Sequence, residues 1–264
     1  MSFSFCSFAS GSSGNCYMVR CNETALLVDA GISGKRIFEA LEYTDTPLEM
    51  LQAVLVTHEH IDHVQSLPIV TRKARNAKAY ANEATWANIN KKVEEEKKAY
   101  FITGEEFRIG DIRIRPFSVS HDAAEPVGFS FFAEGRQVSI LTDSGCITKE
   151  IFSEIVDADL LVLEANHEVE VLQMCGYPYK TKRRILGEFG HLSNVTAGEC
   201  ICRLMEARDK TRRILLGHLS QQNNEPELAK MTITNILNEE DIYIGDRLQM
   251  EVICRDTVSR IYEV

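Results

Sequence analysis

Val54-Leu55-Val56-Thr57-His58-Glu59-His60-Ile61-Asp62-His63 is the stretch that decides how this 264-residue chain is read. An apolar run stops at Thr57, and the six residues that follow carry three imidazoles and two carboxylates. Metal ligation is the commonest chemical reason to gather such groups at the end of a strand. Histidines also sit in polar loops without a task. Here, however, His58, His60, Asp62 and His63 share one short turn, where they would crowd and partly repel, and a divalent cation removes that conflict.

Outward from this stretch, other strand-like runs break off in the same manner. Ala25–Val28 leads to Asp29, Ile112–Arg115 leads through Pro116-Phe117-Ser118-Val119-Ser120 to His121, and Gln137–Leu141 leads to Asp143. Asp159–Leu163 leads to Glu164-Ala165-Asn166-His167, and Arg212–Leu216 leads to Gly217-His218. In sheets flanked by helices the strand ends and their loops form one rim, so residues distant in sequence converge there. Six of the seven histidines, all but His191, lie on or beside these positions. His58, His60, Asp62, His63, His121, Asp143 and His218 are more ligands than one tetrahedral zinc accepts, and they suit two ions sharing a carboxylate.

His58-x-His60-x-Asp62-His63 resembles the signature of the metallo-β-lactamase superfamily. That resemblance implies an αββα sandwich, two mixed β-sheets with helices on the outer faces. It also implies a metal held by His58, His60 and His121, a second held by Asp62, His63 and His218, Asp143 bridging them, and Asp29 bracing the metal-binding loop. Gly190-His191-Leu192-Ser193-Asn194 and Gly217-His218-Leu219-Ser220 are similar to downstream motifs of the RNase Z type of phosphodiesterase. In those enzymes a histidine that binds no metal protonates the leaving oxygen, and His191 and Glu164 match that acid and the carboxylate orienting it. The pattern over nearly the whole chain resembles the YycJ (WalJ) branch, for which exonuclease action on DNA is proposed. It includes Ala9-Ser10-Gly11-Ser12-Ser13-Gly14-Asn15-Cys16, Gly176-Tyr177-Pro178 and His218-Leu219-Ser220-Gln221-Gln222-Asn223-Asn224. Between Asp143 and His218 there is room for neither a β-CASP insertion nor the tRNA-gripping arm of RNase Z.

The chemistry expected of such a pair of cations, zinc, manganese or iron, is activation of a water between them and stabilisation of charge on a phosphoryl or carbonyl oxygen. Asp62, Glu164 and His191 are then the catalytic residues. A proton on the leaving oxygen matters for a phosphodiester, whose alkoxide departs poorly without one. Ser12, Ser13 and Asn15 lie in a small-residue hairpin tip that reads either as a turn or as a nest of amides for a phosphate. Asn166, His167, Lys182, Arg183, Ser193 and Asn194 are the other candidate substrate contacts. His167 reads equally as a pocket wall or as a local loop hydrogen bond.

Bulk properties narrow the setting. A formal charge of −10 argues against wrapping nucleic acid by overall electrostatics, so such a substrate needs a local basic patch such as Lys180-Thr181-Lys182-Arg183-Arg184. Eight cysteines without a CxxC pair, no leader-like N-terminus and no apolar run of about eighteen residues predict a reduced, cytoplasmic protein away from membranes. No repeat or linker interrupts residues 1–264, which read as one domain. Helices are predicted over Lys35–Tyr43, Gln65–Arg75, Asn82–Tyr100, Asn194–Met205 and Glu227–Asn238, with a closing strand at Gln249–Cys254. The leading reading is a dinuclear phosphodiesterase acting on nucleic acid, DNA before RNA. A small-molecule hydrolase of a cyclic diester, thioester or lactone stays open, as do a metal-stabilised binding module and a homodimer.

Overall fold

The computed structural model describes residues 3–264. Along the chain the elements are β1 (Phe3–Ala9), β2 (Cys16–Cys21), β3 (Thr24–Val28), α1 (Gly34–Tyr43), β4 (Leu51–Leu55), α2 (Ile61–Val64), α3 (Leu67–Lys73), β5 (Lys78–Ala81), α4 (Glu83–Asn88) and β6 (Lys98–Tyr100). There follow β7 (Phe107–Ile109), β8 (Ile112–Ser118), β9 (Val127–Ala133), β10 (Arg136–Leu141), α5 (Lys149–Ile155), β11 (Leu160–Glu164), α6 (Val169–Met174) and α7 (Tyr179–Ile185). The chain closes with α8 (Asn194–Ala207), β12 (Arg212–Gly217), α9 (Pro226–Glu239), β13 (Leu248–Val252) and β14 (Tyr262–Glu263). The strands form two seven-stranded mixed sheets, ordered β14-β1-β2-β3-β4-β5-β6 and β13-β12-β11-β10-β9-β8-β7. The chain divides into two compact units. One runs to Ser118 and takes in Ala123–Gln137 and Cys254–Val264; the other joins Val119–Asp122 to Val138–Ile253.

In the first unit β3, β4, β5 and β6 run parallel, with Val28 opposite Leu55 and Leu55 opposite Tyr80. Every residue of β3 is buried, the composition expected of a parallel strand covered on both faces. Helix α1 starts at Ser33, whose hydroxyl accepts the Arg36 amide, and its spaced residues Ile37, Ala40 and Leu41 enter a core with Phe8, Leu27, Val54 and Leu67. Parallel pairing places the ends of β3 and β4 side by side, so Asp29 and the His58–His63 stretch emerge from one edge. The Asp29 amide donates to the Leu55 carbonyl at 2.8 Å.

The second unit is built on β10, β11, β12 and β13, again parallel, with Leu141 opposite Leu163 and Glu164 opposite Gly217. Asp143, Glu164 and His218 therefore leave neighbouring strands at the same edge. Helix α8 begins at Ser193, whose Oγ accepts the Thr196 amide at 3.1 Å. It buries Ala197, Cys200, Ile201 and Leu204, one face at helical spacing.

Two segments differ from the sequence expectation. Asn82–Tyr100 is not one helix: α4 ends at Asn88, and Lys98–Tyr100 is a strand paired with Lys78–Ala81 through Ala79 opposite Lys98. The charge-rich run does favour helix locally, but ladder bonds to β5 and the 2.9 Å bond from Trp86 Nε1 to the Ala99 carbonyl oppose it. The basic segment is helical, α7, and α6 precedes it. All eight cysteines are unbridged, and no helix among the described residues is long and apolar enough to cross a membrane.

Candidate metal centre

In the first unit three backbone segments meet at the His58–His63 stretch. The Asn15 amide donates to the Asp62 carbonyl at 2.9 Å, Gly31 to Asn15 at 2.8 Å and Ala30 to His63 at 2.8 Å. A Cβ on Gly31 would lie 1.5 Å from the Asp62 carbonyl oxygen, so glycine is required by the close approach. Gly14, at φ +149°, likewise lets the hairpin tip pass 2.7 Å from the Gly31 carbonyl at the Cβ position. Ser12 and Ser13 project from that tip into solvent.

The buried Asp29 carboxylate organises this half. Its Oδ1 accepts the Thr57 amide at 2.9 Å, and its Oδ2 accepts His63 Nδ1 at 2.7 Å and the Thr57 hydroxyl at 2.9 Å. Burial pushes the Asp29 carboxyl above its ordinary value, opposed by the charge and hydrogen bond of His63 and by the Thr57 bonds. With the Nδ1 proton committed to Asp29, the lone pair of His63 lies on Nε2, the arrangement that orients a ligand imidazole. The Thr57 hydroxyl is also 3.0 Å from His58 Nδ1, and His58 Nε2 is 2.9 Å from His60 Nδ1. Two imidazole nitrogens converging so closely need a shared proton or a cation between them, and this donor set fits a divalent metal. Asn15 serves structure here: its Oδ1 accepts the Gly11 amide, and its Nδ2 is 3.1 Å from His63 Nε2.

In the second unit Glu164 is the pivot. Fully buried, its Oε1 accepts His191 Nδ1 at 2.8 Å and His218 Nδ1 at 2.7 Å, while Oε2 accepts the Ser144 amide at 3.0 Å. Burial alone would raise this carboxyl; the charges and hydrogen bonds of His191 and His218 outweigh it and hold the group well below the carboxylate range. Both imidazoles therefore direct Nε2 away from Glu164. His218 Nε2 lies 3.5 Å from Asp143 Oδ1, and His121 Nε2 lies 3.9 Å from the same oxygen. The His121 Nδ1–H donates to the Gly190 carbonyl at 3.2 Å, and burial lowers the pKa of this ring. Asp143, Glu164, His191 and His218 each offer an atom within 4.8 Å of the others, but Glu164 is spent on the two Nδ1 atoms, which leaves Asp143 and His218 as the ligand-type groups of this cluster.

The remaining candidates take varied places. Asn166 Nδ2 donates to the His218 carbonyl at 2.9 Å and so holds the turn that carries this imidazole. Asn194 Nδ2 donates to Glu168 and Asn224, and Ser193 caps α8. Lys182 Nζ reaches the Gln173 carbonyl at 2.6 Å, and Arg183 lies on the exposed α7. Sequence reasoning passed over Thr57 and Asn224. Thr57 stood at the strand end directly before His58, where a hydroxyl can reach two imidazoles. Asn224, whose Nδ2 bonds the Ala165 carbonyl at 2.8 Å, stood at the end of the His218–Asn224 motif without a role of its own.

A family model for the β-lactamase superfamily domain matches residues 24–219. The chain belongs to the metallo-β-lactamase superfamily. It is similar to the exodeoxyribonuclease WalJ of Streptococcus pneumoniae serotype 2, with 38% identity over 267 residues that cover 99% of this chain and 98% of that protein. The exodeoxyribonuclease YycJ of Bacillus anthracis is 37% identical over 253 residues, 95% of each chain. Among solved structures, the metallo-β-lactamase-fold protein YhfI of Bacillus subtilis superposes with a TM-score of 0.71 at 16% identity, over 97% of this chain and 99% of that one. The human short-form tRNase Z gives 0.59 at 18% identity, over 83% and 93%. At these identities the structural likeness shows the fold alone, the α/β class with two mixed sheets that this superfamily shares.

Proposed function

We propose that this superfamily member is a metal-dependent phosphodiesterase that removes nucleotides from DNA. The observation that carries the reading is the doubly engaged Glu164: one buried carboxylate orients both His218, a ligand-type imidazole, and the partly exposed His191. A hydrolase needing only metal-activated water has no use for a second imidazole held in this way. A phosphodiesterase does, because its leaving oxygen needs a proton. The full-length likeness to two exodeoxyribonucleases points to DNA.

In this proposal His58, His60, Asp62, His63, His121, Asp143 and His218 hold two divalent ions, zinc or manganese. When bound, such a pair supplies an activated water and stabilises the charge developing on the phosphoryl oxygens. His191 gives the proton on Nε2 to the departing sugar oxygen, and Glu164 stabilises the imidazolium through Nδ1. Asp29 fixes the tautomer of His63 and, through Thr57, the seat of His58. Ser12 and Ser13, with Lys182 and Arg183, contact the phosphates of the strand.

The test is manganese- or zinc-dependent release of nucleotides from end-labelled single- and double-stranded DNA and RNA, comparing parent, His60→Ala and His191→Ala. The expected result is metal-dependent degradation of DNA that is abolished in His60→Ala. In His191→Ala, binding is retained and turnover falls roughly 10²–10⁴-fold. Turnover of a small diester with no degradation of any polymer would move the protein to the small-molecule hydrolases.

A further inference from the structure

In the segment from α6 to His191 the catalytic reading uses Lys182, Arg183 and His191 and leaves the exposed aromatic rings unused. No residue of α7 is buried, although Tyr179 begins it and Lys180, Lys182, Arg183 and Arg184 follow. Tyr179 is 76% exposed and Phe189 is 59% exposed, both large aromatic rings in water. The Arg183 guanidinium lies 6.0 Å from the centre of the Tyr179 ring. Four cations on one short helix stand out in a chain of net charge −10. Aromatic faces interleaved with cations match the two chemistries of an unpaired nucleic-acid strand, flat bases and a phosphate at every step.

This surface is fastened to the reacting groups. The His191 amide donates to the Ile185 carbonyl at 3.0 Å, and the Gly190 amide to the Gly187 carbonyl at 2.9 Å. Arg184 Nη2 donates to Asp122 Oδ1 at 2.8 Å, next in sequence to His121. A Cβ on Gly190 would lie 2.2 Å from the Ile185 carbonyl oxygen, so the turn from α7 to His191 is closely packed. Phe189 is two residues from His191, which limits their Cα atoms to about 7 Å apart. A base stacked on Phe189 would then lie within about one nucleotide of a leaving oxygen that faces His191.

We propose that Tyr179 and Phe189, with the cations of α7, form a stacking platform for the unpaired end of the strand being degraded. The inference rests on the nuclease reading of the same site and adds the form in which the substrate is held. Blunt duplex, whose base faces are stacked internally, cannot use such a platform until its end frays.

The test measures binding in the presence of a chelator, where no turnover occurs, using a fluorescein-labelled single-stranded oligodeoxynucleotide and a duplex closed by hairpins at both ends. Tyr179→Ala and Phe189→Ala are each expected to weaken single-strand binding roughly 5- to 150-fold, the range that loss of a base–aromatic stack implies. Tyr179→Phe, which keeps the ring, is expected to restore it, and the closed duplex to respond little to any of the three. Parental affinity in both alanine variants overturns the platform, whether or not the parent degrades DNA with metal. Equal loss in Tyr179→Phe and Tyr179→Ala overturns the stacking role. Equal loss on closed duplex overturns the unpaired end. Dissociation of a parental dimer by the same alanine substitutions, seen by sedimentation, would reassign the patch to contact between copies and overturn the proposal.

Discussion

His167 makes the stability of this protein fall on the acid side in a way that can be isolated. Its side chain is 1% exposed, and neither ring nitrogen has a hydrogen-bond partner in the protein. The backbone on either side is fixed, with the His167 carbonyl accepting the Asn194 amide at 2.9 Å, so the ring has little freedom to seek a partner. Burial lowers its pKa from 6.5 to about 4, against the opposing pull of Glu164 and Glu168. Above pH 6.5 the imidazole is neutral in both the folded and unfolded chain and contributes no slope. Between pH 6.5 and 4 the unfolded chain takes up a proton that the folded one refuses, so stability falls as pH falls. The whole window amounts to about 3 kcal/mol, of which about 2 kcal/mol is lost by pH 5. His167→Leu, of similar size, removes this slope and also the unmet nitrogens, which cost about 1–3 kcal/mol in a buried site. Urea unfolding of parent and variant at pH 7.5 and 5.0 reads both effects. The variant is expected to be the more stable at pH 7.5 and to gain a further 2 kcal/mol or so of advantage at pH 5.0. Parallel losses in the two proteins would refute the account, because they would mean that the folded ring protonates as readily as the unfolded one.

Two further substitutions test how the ligands are held. Glu164→Gln keeps one acceptor oxygen but faces the Ser144 amide or an imidazole N–H with a second donor; metal affinity, read by chelator competition, is expected to fall roughly 10–100-fold. Unchanged affinity would mean that His218 needs no orienting partner. Gly31→Ala drives a methyl into the Asp62 carbonyl and is expected to cost at least about 3 kcal/mol by denaturant unfolding, because backbone rather than a flexible side chain must move.

Much of this was legible in the sequence because chemistry and periodicity agreed. Parallel strands read as unbroken apolar runs, and Asp29, Asp143, Glu164 and His218 stand just past them. The buried runs of β3, β11 and β12 follow from the same fact. What could not be read was set by partners distant in the chain. Lys98–Tyr100 is a strand because Lys78–Ala81 lies beside it, and nothing within the segment says so. Asn15, Asn166 and Asn194 read as candidate substrate contacts because polar side chains near a site usually face it. Each makes hydrogen bonds within the protein, to the Gly11 amide, the His218 carbonyl and Asn224, and these partners are set by backbone geometry that composition does not report. The double engagement of Glu164 is of the same kind: one imidazole partner was visible as a motif, and the second required the register of β11 against β12.

That geometry includes a device shared by three of the strand-end residues. Asp29, Asp143 and His218 all adopt left-handed backbone, at φ 62°, 55° and 55°, although none is glycine. Such a residue turns the chain sharply at the strand end, and the strain is tolerated where surrounding bonds over-determine the turn. At Asp29 strain and side-chain bonding can be separated. Asp29→Asn retains an acceptor and a residue that tolerates this region; Asp29→Ala loses both; Asp29→Gly loses the acceptor but is at ease in the backbone. The expected order of stability is parent, Asn, Gly, Ala. Alanine should fall below glycine by up to about 1 kcal/mol, since left-handed strain of about 1–2 kcal/mol is partly offset by the extra freedom glycine has when unfolded. Urea unfolding of the four proteins reads the series. Alanine equal to or above glycine would show that the left-handed turn at Asp29 relaxes once its carboxylate is removed. The bonds to Thr57 and His63 would then be what imposes the turn, and the bonding at this strand end would be setting the backbone rather than the reverse.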